Sequence, residues 1–332
     1  MIAALAVICV HVANAVVLND SQVQCADWWV GNVFGSMVRW CVPVFVMISG
    51  AALLAHSPHH APTTFYRRRL MRLLPPTLFW TLVYWGYTTH LRFDPGPLLG
   101  MVFDGRTHLW YLYMTLGLYA AAPFLSQFVA SSSQRASLAA IILLFCTAAG
   151  YSIVKACLVD PRVGMSLFEW PLYCGYFLMG HYLTRGQQPT AQGAWRLHLL
   201  GLAVFCGTAV AVLTGLLRPY AGERASEVTY LYLNPLVIAM SISFFAAVYR
   251  SGTTQQAGGN AVVKTLVRIA PYSLGIYVIH PLSLRVVSRC GVEAWTFNPI
   301  LGIPQVSVAA FIVSLVIVYA VSLVPVVRRV VV

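Results

Sequence analysis

The chain has 332 residues, of which 59% are hydrophobic and 9% charged, and its formal net charge is +12. A soluble domain carries roughly a quarter charged residues, so the composition excludes an ordinary soluble globular protein. A bilayer-spanning helix needs about 20 apolar residues, and about ten such helices with their connections would use the whole length. The sequence therefore predicts an all-α fold, a polytopic membrane protein with a single integral-membrane domain over residues 1–332.

The positive charge does not follow the pattern of nucleic-acid binding, because the connections contain no basic stripe with interleaved aromatic residues. Basic residues of membrane proteins concentrate in cytoplasmic loops instead. The eight cysteines form no CxxC pair and no Cys/His cluster with metal-ligand spacing. We therefore expect the lipid bilayer as a partner, no nucleic acid, no metal site and no permanently bound cofactor.

Apolar runs separated by polar segments predict ten membrane-spanning helices in chain order. The polar segment 251–260 is predicted to be a flexible linker from its composition, and Pro75 and Pro76 are expected in the first turn of the third span, where proline is tolerated. The predicted spans are 1–18, 34–55, 73–90, 108–128, 137–152, 170–184, 197–217, 229–249, 269–284 and 305–327.

When the N-terminus is placed on the cytoplasmic side, the charged residues of the connections segregate between the two sides of the membrane. The even-numbered connections and the C-terminus contain 12 of the 21 basic residues and none of the 9 acidic ones. The odd-numbered connections contain 8 basic residues and all 9 acidic ones. This asymmetry follows the positive-inside rule and predicts that both termini are cytoplasmic.

His11 lies in the middle of the first span, and Arg39 lies near the outer end of the second. An ionisable residue at membrane depth is a functional hypothesis, and an imidazole has a suitable pKa for taking a proton from a sugar hydroxyl. A structural histidine, hydrogen-bonded within the bundle, is the alternative for His11. Arg39 either snorkels to the interface or binds a polar group inside the bundle.

Arg69 and Arg72 stand three residues apart in the basic connection before the third span. On a helix they share a face, and two guanidinium groups aimed at one point suit a phosphate. Ordinary topology signalling by arginines beside a membrane is the alternative.

Aromatic and histidine residues mark the predicted outer ends of the fourth and ninth spans. His108 and Trp110 open the fourth, and Tyr277 and His280 close the ninth. Such residues form an interfacial belt in many membrane proteins, and they also suit a sugar-binding mouth.

No Asp or Glu lies deep in a predicted span, although ion-coupled transporters usually need a carboxylate there. Nucleophile-elbow and other acyl-serine motifs are absent too. This pattern favours an enzyme that handles an anionic donor over a transporter.

Four segments follow one another along the chain, namely VPVFVMISGAAL, RRRLMRLLPP, HLWYLYMTLGLYAAAPFL and YSLGIYVIHPL. In this order they resemble the acyltransferase-3 superfamily of membrane O-acyltransferases, most closely its single-domain subgroup with the enterobacterial common antigen and xanthan O-acetyltransferases. The resemblance covers essentially the whole chain.

The resemblance implies transfer of an acetyl group from cytoplasmic acyl-CoA, usually acetyl-CoA, to a glycan acceptor on the periplasmic side of the bacterial inner membrane. It matches the family's essential histidine to His11 and its RxxR to Arg69 and Arg72. In the family an arginine precedes this histidine with ten residues between them, and that arginine would fall one position before Met1. Either the chain has lost this arginine or residues are missing upstream, and we expect the second, a truncated first helix. The resemblance also matches the aromatic and histidine blocks to His108, Ser273, Tyr277 and His280.

The sequence thus predicts a membrane O-acyltransferase with His11 as the catalytic base, and Arg69 and Arg72 as the binding site for CoA phosphates. Substrate contacts are predicted for Arg39, His108, Trp110, Tyr277 and His280. The glycan acceptor is a surface polysaccharide or a lipid-linked oligosaccharide. Two other classes remain open, a glycan or lipid-linked-sugar transporter without acyl transfer and a structural partner in polysaccharide export.

Overall fold

The computed structural model describes residues 1–18, 25–55, 62–90, 92, 94–103, 108–158, 169–185, 193–222, 228–249, 261–296, 298–325 and 328. Within these ranges the regular secondary structure is helical, and no β-strand occurs. The predicted all-α class is thereby confirmed. The predicted linker 251–260 lies outside the described residues.

The described residues form thirteen α-helices and two short 3₁₀ turns, the latter at Trp170–Tyr173 and Ala270–Tyr272. Each predicted span overlaps helical structure. Helix α5 lies outside the predicted spans, and α11 meets the ninth span only at Ile269. The helices are α1 Ile2–Val17, α2 Ala26–Met37, α3 Cys41–Leu54, α4 Pro62–Thr88, α5 Pro95–Phe103, α6 Trp110–Ser131, α7 Gln134–Leu158, α8 Cys174–Thr184, α9 Gly193–Ala221, α10 Pro235–Tyr249, α11 Ala261–Ile269, α12 Ser273–Arg289 and α13 Pro299–Ser322.

Several helices are long and apolar enough to cross a membrane, as a multi-pass membrane protein requires. Among the described residues, five segments meet both criteria of length and composition. Two further apolar helices, α1 and α10, are shorter. The five segments are Ala26–Leu54, Trp110–Ser131, Gln134–Val154, Ala194–Ala221 and Pro299–Ser322.

Pro75 and Pro76 lie in the interior of α4, so the expectation that they occupy a first turn was wrong. The basic run before them is helical as well, because α4 begins at Pro62. A proline has no N–H, so the carbonyl groups four residues earlier, of Met71 and Arg72, lose their helical donors. Membrane helices tolerate such interruptions where other groups replace the missing donor.

The chain divides into two compact units, of which the first contains Met1–Val44 and Gln188–Val332. In this unit α1 packs against α2, α12 and α13, while α9 packs against α2 and α10. Ten of the 16 residues of α1 are buried as a result. The first helix is therefore surrounded by others rather than attached at an edge.

The second unit consists of Phe45–Gln187. Here α6 packs against α4, α5, α8 and the first 3₁₀ turn, and α7 packs against α8. The indole of Trp170, in that turn, covers Gly117 of α6 so closely that a Cβ at position 117 would overlap the ring. The small residue thus allows the turn to lie flat on α6.

Helices α3 and α8 of this unit touch backbone to backbone through two glycines. A Cβ added at Gly50 would overlap the carbonyl of Phe177, and one added at Gly180 would overlap the carbonyl of Met47. Close approach through small residues is how helices associate where lipid supplies no hydrophobic driving force between them. The reciprocal pair therefore fixes the spacing and rotation of α3 against α8.

Gly50→Ala is expected to lower the stability of the protein by about 1–3 kcal/mol, because the methyl group meets a backbone carbonyl that has little freedom to move. Gly150→Ala in α7 is the matched control, since a Cβ there meets nothing within 4 Å. That change should leave the stability equal or up to about 1 kcal/mol higher, through helix propensity. Thermal unfolding of both purified variants in detergent measures this difference, and equal melting temperatures would contradict the glycine contact.

Candidate active site

His11 is an exposed residue in a largely buried helix. Its neighbours Val10 and Val12 are buried, whereas His11 shares an accessible stripe with Ala15 and Leu18. The stripe arises from helical periodicity, since positions separated by four and seven residues lie on one face. His11 is therefore accessible along this stripe while its helix is held by neighbours on other sides.

His280 of α12 lies beside His11, with 4.9 Å between the two ring centroids and a tilt of 45° between the ring planes. The His280 side chain is fully buried. The ring of Tyr277 lies 5.8 Å from that of His280, also in a tilted arrangement. The fold thus brings together three residues that the sequence indicated separately, in two segments far apart along the chain.

The orientation of His280 follows from Pro281, the next residue. Because proline lacks an N–H, the carbonyl of Tyr277 loses its normal helical donor. The Nδ1–H of His280 donates to this carbonyl, at 2.5 Å. A carbonyl only accepts, so the proton of a neutral His280 ring resides on Nδ1 and the lone pair on Nε2. The His-Pro dipeptide therefore selects one tautomer of the imidazole.

Arg39 lies at the turn between α2 and α3, in the middle of the helical segment Ala26–Leu54. Its position relative to the end of a membrane span stays a prediction. Its side chain is 5% exposed, and its Nη2 donates to Asn14 Oδ1 at 2.6 Å. The guanidinium also covers the ring of Tyr230 at 4.1 Å from the centroid. Arg39 therefore points inward instead of snorkelling.

Further polar residues hold the partners of Arg39 in place. The hydroxyl of Tyr230 donates to Asn32 Oδ1 at 2.6 Å, and Asn32 Nδ2 donates to the carbonyl of Ala211 at 2.8 Å. Ser36 also donates to Asn32 Oδ1, at 3.3 Å. This network links α2 to α9 and to the segment before α10, so Tyr230 is fixed beneath the guanidinium.

The contacts of Arg39 offset the free-energy cost of burying its charge among the helices. Inserting an arginine at the centre of a membrane helix costs about 2.5–3.5 kcal/mol on insertion scales. A hydrogen bond to a charged group contributes about 1.5–3 kcal/mol, and a desolvated cation–π contact about 2 kcal/mol. The buried Nε of Arg39 makes no hydrogen bond within the described part of the chain. One donor therefore remains for a ligand.

Arg39 also lies close enough to His11 for an electrostatic interaction between the two side chains. Asn14, which binds Arg39, stands one helical turn after His11 in α1. His11, His280, Tyr277 and Arg39 therefore form one polar site within the first unit.

Arg69 and Arg72 belong to the second unit, where both interact electrostatically with Tyr119 of α6. Tyr119 is itself hydrogen-bonded to Ser49 of α3. Arg69 is partly buried, and Arg72 is exposed. The two guanidinium groups thus share a neighbour, as residues three apart on one helical face do.

His108 and Trp110 join an aromatic group at the start of α6. The ring of His108 meets that of Tyr84 edge to face at 4.8 Å, and Trp110 lies 5.8 Å from Tyr173. Both tyrosines are buried, whereas His108 and Trp110 are only partly covered. The rings of His108 and Trp110 are therefore partly accessible at the start of α6.

Sequence reasoning missed Asn14, Asn32, Tyr230 and Tyr119. Asn14 and Asn32 interrupt apolar or aromatic runs, and a polar residue at such a position is a usable signal for an interior hydrogen bond. Tyr230 and Tyr119 carry no such signal, because tyrosine is common both in cores and at membrane interfaces. Within the described ranges, no three His, Cys, Asp or Glu side chains are close enough to hold a metal ion.

A pair of histidines and an inward-facing arginine in a bundle of apolar helices are features of a membrane enzyme that handles a polar substrate. The family model of the acyltransferase-3 family, described as an acyltransferase domain, matches residues 1–319. The chain therefore belongs to the acyltransferase-3 family and is a multi-pass membrane acyltransferase. Comparisons with curated proteins and with solved structures gave no match.

Pro281→Ala is expected to reduce acyl transfer by about 10- to 100-fold, because a restored backbone N–H competes with His280 for the Tyr277 carbonyl and the ring loses its fixed orientation. The melting temperature should be equal or higher, since proline in a helix interior is unfavourable. Spectra of ¹⁵N-histidine-labelled protein report the tautomer directly and should show the ring released.

Pro304→Ala is the matched control, because Pro304 also lies inside a helix of the same unit, α13. This substitution should leave both activity and the histidine spectra unchanged. An unaltered His280 tautomer in Pro281→Ala would contradict the role of Pro281.

Proposed function

We propose that the protein transfers an acetyl or other short acyl group from cytoplasmic acyl-CoA to a hydroxyl of a periplasmic or lipid-linked glycan. Membership of the acyltransferase-3 family supports the reaction class. The observation that carries the proposal further is the contact between the accessible His11 and the buried His280. An accessible imidazole whose ring packs against a second, buried imidazole is suited to general base catalysis.

The proposed arrangement in the membrane has ten spans in a single integral domain over residues 1–332, with both termini on the cytoplasmic side of a bacterial inner membrane. The segregation of acidic residues to one set of connections supports this topology. The overlap of helical structure with each predicted span is consistent with it.

In the proposed reaction, His11 takes the proton of the acceptor hydroxyl as the oxygen attacks the thioester carbonyl carbon. A new C–O bond forms, the C–S bond breaks, and the CoA thiolate leaves and receives the proton. Transfer through a covalent acyl-histidine is the alternative route for the same residue. Either route requires an imidazole that is open to both substrates, and the exposure of His11 supports this requirement.

The remaining predicted residues are assigned to binding. Arg69 and Arg72 bind the phosphates of CoA, for which their shared position beside Tyr119 is suitable. Arg39 offers its unused Nε to polar groups of the substrate. His108 and Trp110 provide aromatic surfaces for the glycan, while Tyr277 and His280 border the reacting hydroxyl.

His11→Ala is expected to lower acyl transfer by about 100- to 10,000-fold, the usual contribution of a general base. His198→Ala is the matched control, because His198 is an exposed residue of α9 whose ring contacts the Ala194 carbonyl. The assay incubates purified protein with radiolabelled acetyl-CoA and glycan acceptors, and it follows both CoA release and label on the glycan. Wild-type rates in His11→Ala would exclude the proposed role.

The same assay separates the two other classes of function. Glycan-dependent release of CoA indicates the enzyme. Movement of glycan across proteoliposomes without CoA release would indicate a transporter, and neither activity would indicate a structural partner.

Arg69→Gln and Arg72→Gln are each expected to raise the KM for acetyl-CoA about 10-fold or more, since each loses a hydrogen bond between charged groups. Arg67→Gln and Arg68→Gln are matched controls in the same basic run, and their KM values should stay close to that of the wild type. A similar effect of all four substitutions would indicate general surface charge instead of a defined phosphate site.

A further inference from the structure

A cavity of about 570 Å³ lies within the second unit, at the end of α6, the start of α7 and the end of α8. None of the residues assigned above to acyl transfer lines it. Its walls include Phe128 and Val129 of α6, Ser137 and Ile141 of α7, and His181 and Arg185 at the end of α8.

Two buried polar atoms in this cavity, Ser137 Oγ and His181 Nδ1, make no hydrogen bond to any residue that the structure describes. Ser137 is 5% exposed and His181 is 8% exposed. A buried polar group without a partner costs about 1–3 kcal/mol, and such groups are few in native proteins. Two of them in one cavity indicate that a polar ligand completes their hydrogen bonding.

The surroundings of these atoms favour a negatively charged ligand. Arg185 uses one guanidinium N–H to bind the Val129 carbonyl at 3.1 Å, and its other donors are available to a ligand. The N-terminus of α7 is at the cavity as well, where Ser133 Oγ accepts from Ala136 N at 3.1 Å. A helix N-terminus attracts anions. The described lining residues include no Asp or Glu.

The size and the other wall of the cavity indicate an organic anion. A volume of about 570 Å³ falls within the range of about 300–1,000 Å³ that is typical of small-molecule sites. A phosphate ion alone would fill only a small part of it. Phe128, Ile141 and Leu178 form an apolar surface beside the polar groups, and this surface suits the organic part of a ligand.

We propose that this cavity binds an organic phosphate. The phosphate group lies at the start of α7 between Ser137, His181 and Arg185, and the organic group lies against Phe128 and Leu178. A soluble nucleotide and a phospholipid headgroup both present this chemistry. The proposal does not depend on the function proposed above.

Binding to the full-length protein in detergent separates the two sources. Adenosine 3′,5′-bisphosphate is compared with adenosine by titration calorimetry, and phosphatidic acid is compared with diacylglycerol by native mass spectrometry. Within each pair, only the first member carries phosphate. Tighter binding of the phosphate-bearing member in either pair identifies the source, and substitutions then distinguish this cavity from the site proposed at Arg69 and Arg72.

Substitutions then locate the binding. Ser137→Ala should lower the affinity for the more tightly bound probe about 2- to 12-fold, and Arg185→Gln should lower it about 10- to 150-fold. Without the probe, Ser137→Ala should not lower the melting temperature, because the Ser137 hydroxyl makes no hydrogen bond to a described residue. If the serine were purely structural, its substitution would lower the melting temperature and leave the affinity for the probe unchanged. Ser126→Ala is the matched control, since the buried Ser126 hydroxyl donates to the Pro123 carbonyl and lies outside the cavity.

Two results would overturn the proposal. One is equal binding of the phosphate-bearing and phosphate-free members in both pairs. The other is an affinity for the favoured probe that is the same in wild type, Ser137→Ala and Arg185→Gln. If Arg185→Gln fails to fold through loss of its contact with Val129, Ser137→Ala alone decides the question.

Discussion

The charge of Arg39 must be compensated inside a packed group of apolar helices, and much of the first unit is arranged to do this. Asn14 accepts its hydrogen bond, Tyr230 lies under the guanidinium, and Asn32 holds Tyr230. Surroundings of low polarity strengthen each of these interactions, and they raise the free-energy cost of a buried polar group that lacks a partner. Because Asn14 is also one turn from His11, the compensation of the charge and the position of the imidazole depend on the same short helix.

The sequence predicts the helices well and their polar contacts poorly. Apolar runs of sufficient length reveal α6, α7, α9 and α13 because the bilayer imposes that length. The third span is predicted to begin at residue 73, whereas α4 begins at Pro62, because arginines do not extend an apolar run although they continue the helix. His11 and Arg39 were identifiable because ionisable residues are costly at membrane depth. Their partners were not, since the contact between Arg39 and Tyr230 joins residues that are 191 positions apart.

His280 illustrates a rule that sequence reasoning can use in other membrane proteins. The dipeptide His-Pro in a helix removes one backbone donor and supplies a side-chain donor one residue earlier, beside the carbonyl that needs it. The sequence alone thus allows the tautomer to be inferred once the segment is known to be helical. The neighbours of the imidazole ring depend on tertiary packing, and only the structure reveals that His11 lies beside this ring.

The paired glycines of α3 and α8 have a consequence for biosynthesis. Gly50 and Gly180 are about 130 residues apart, so at a synthesis rate of about 5–20 residues per second α3 waits roughly 6–26 s for its partner. Helix α3 can wait in lipid because its backbone amides are satisfied within the helix itself. The bare glycine surface is exposed to lipid tails during that interval, and α8 displaces them when it arrives. Assembly of this helix pair is therefore a late step that follows membrane insertion of α3.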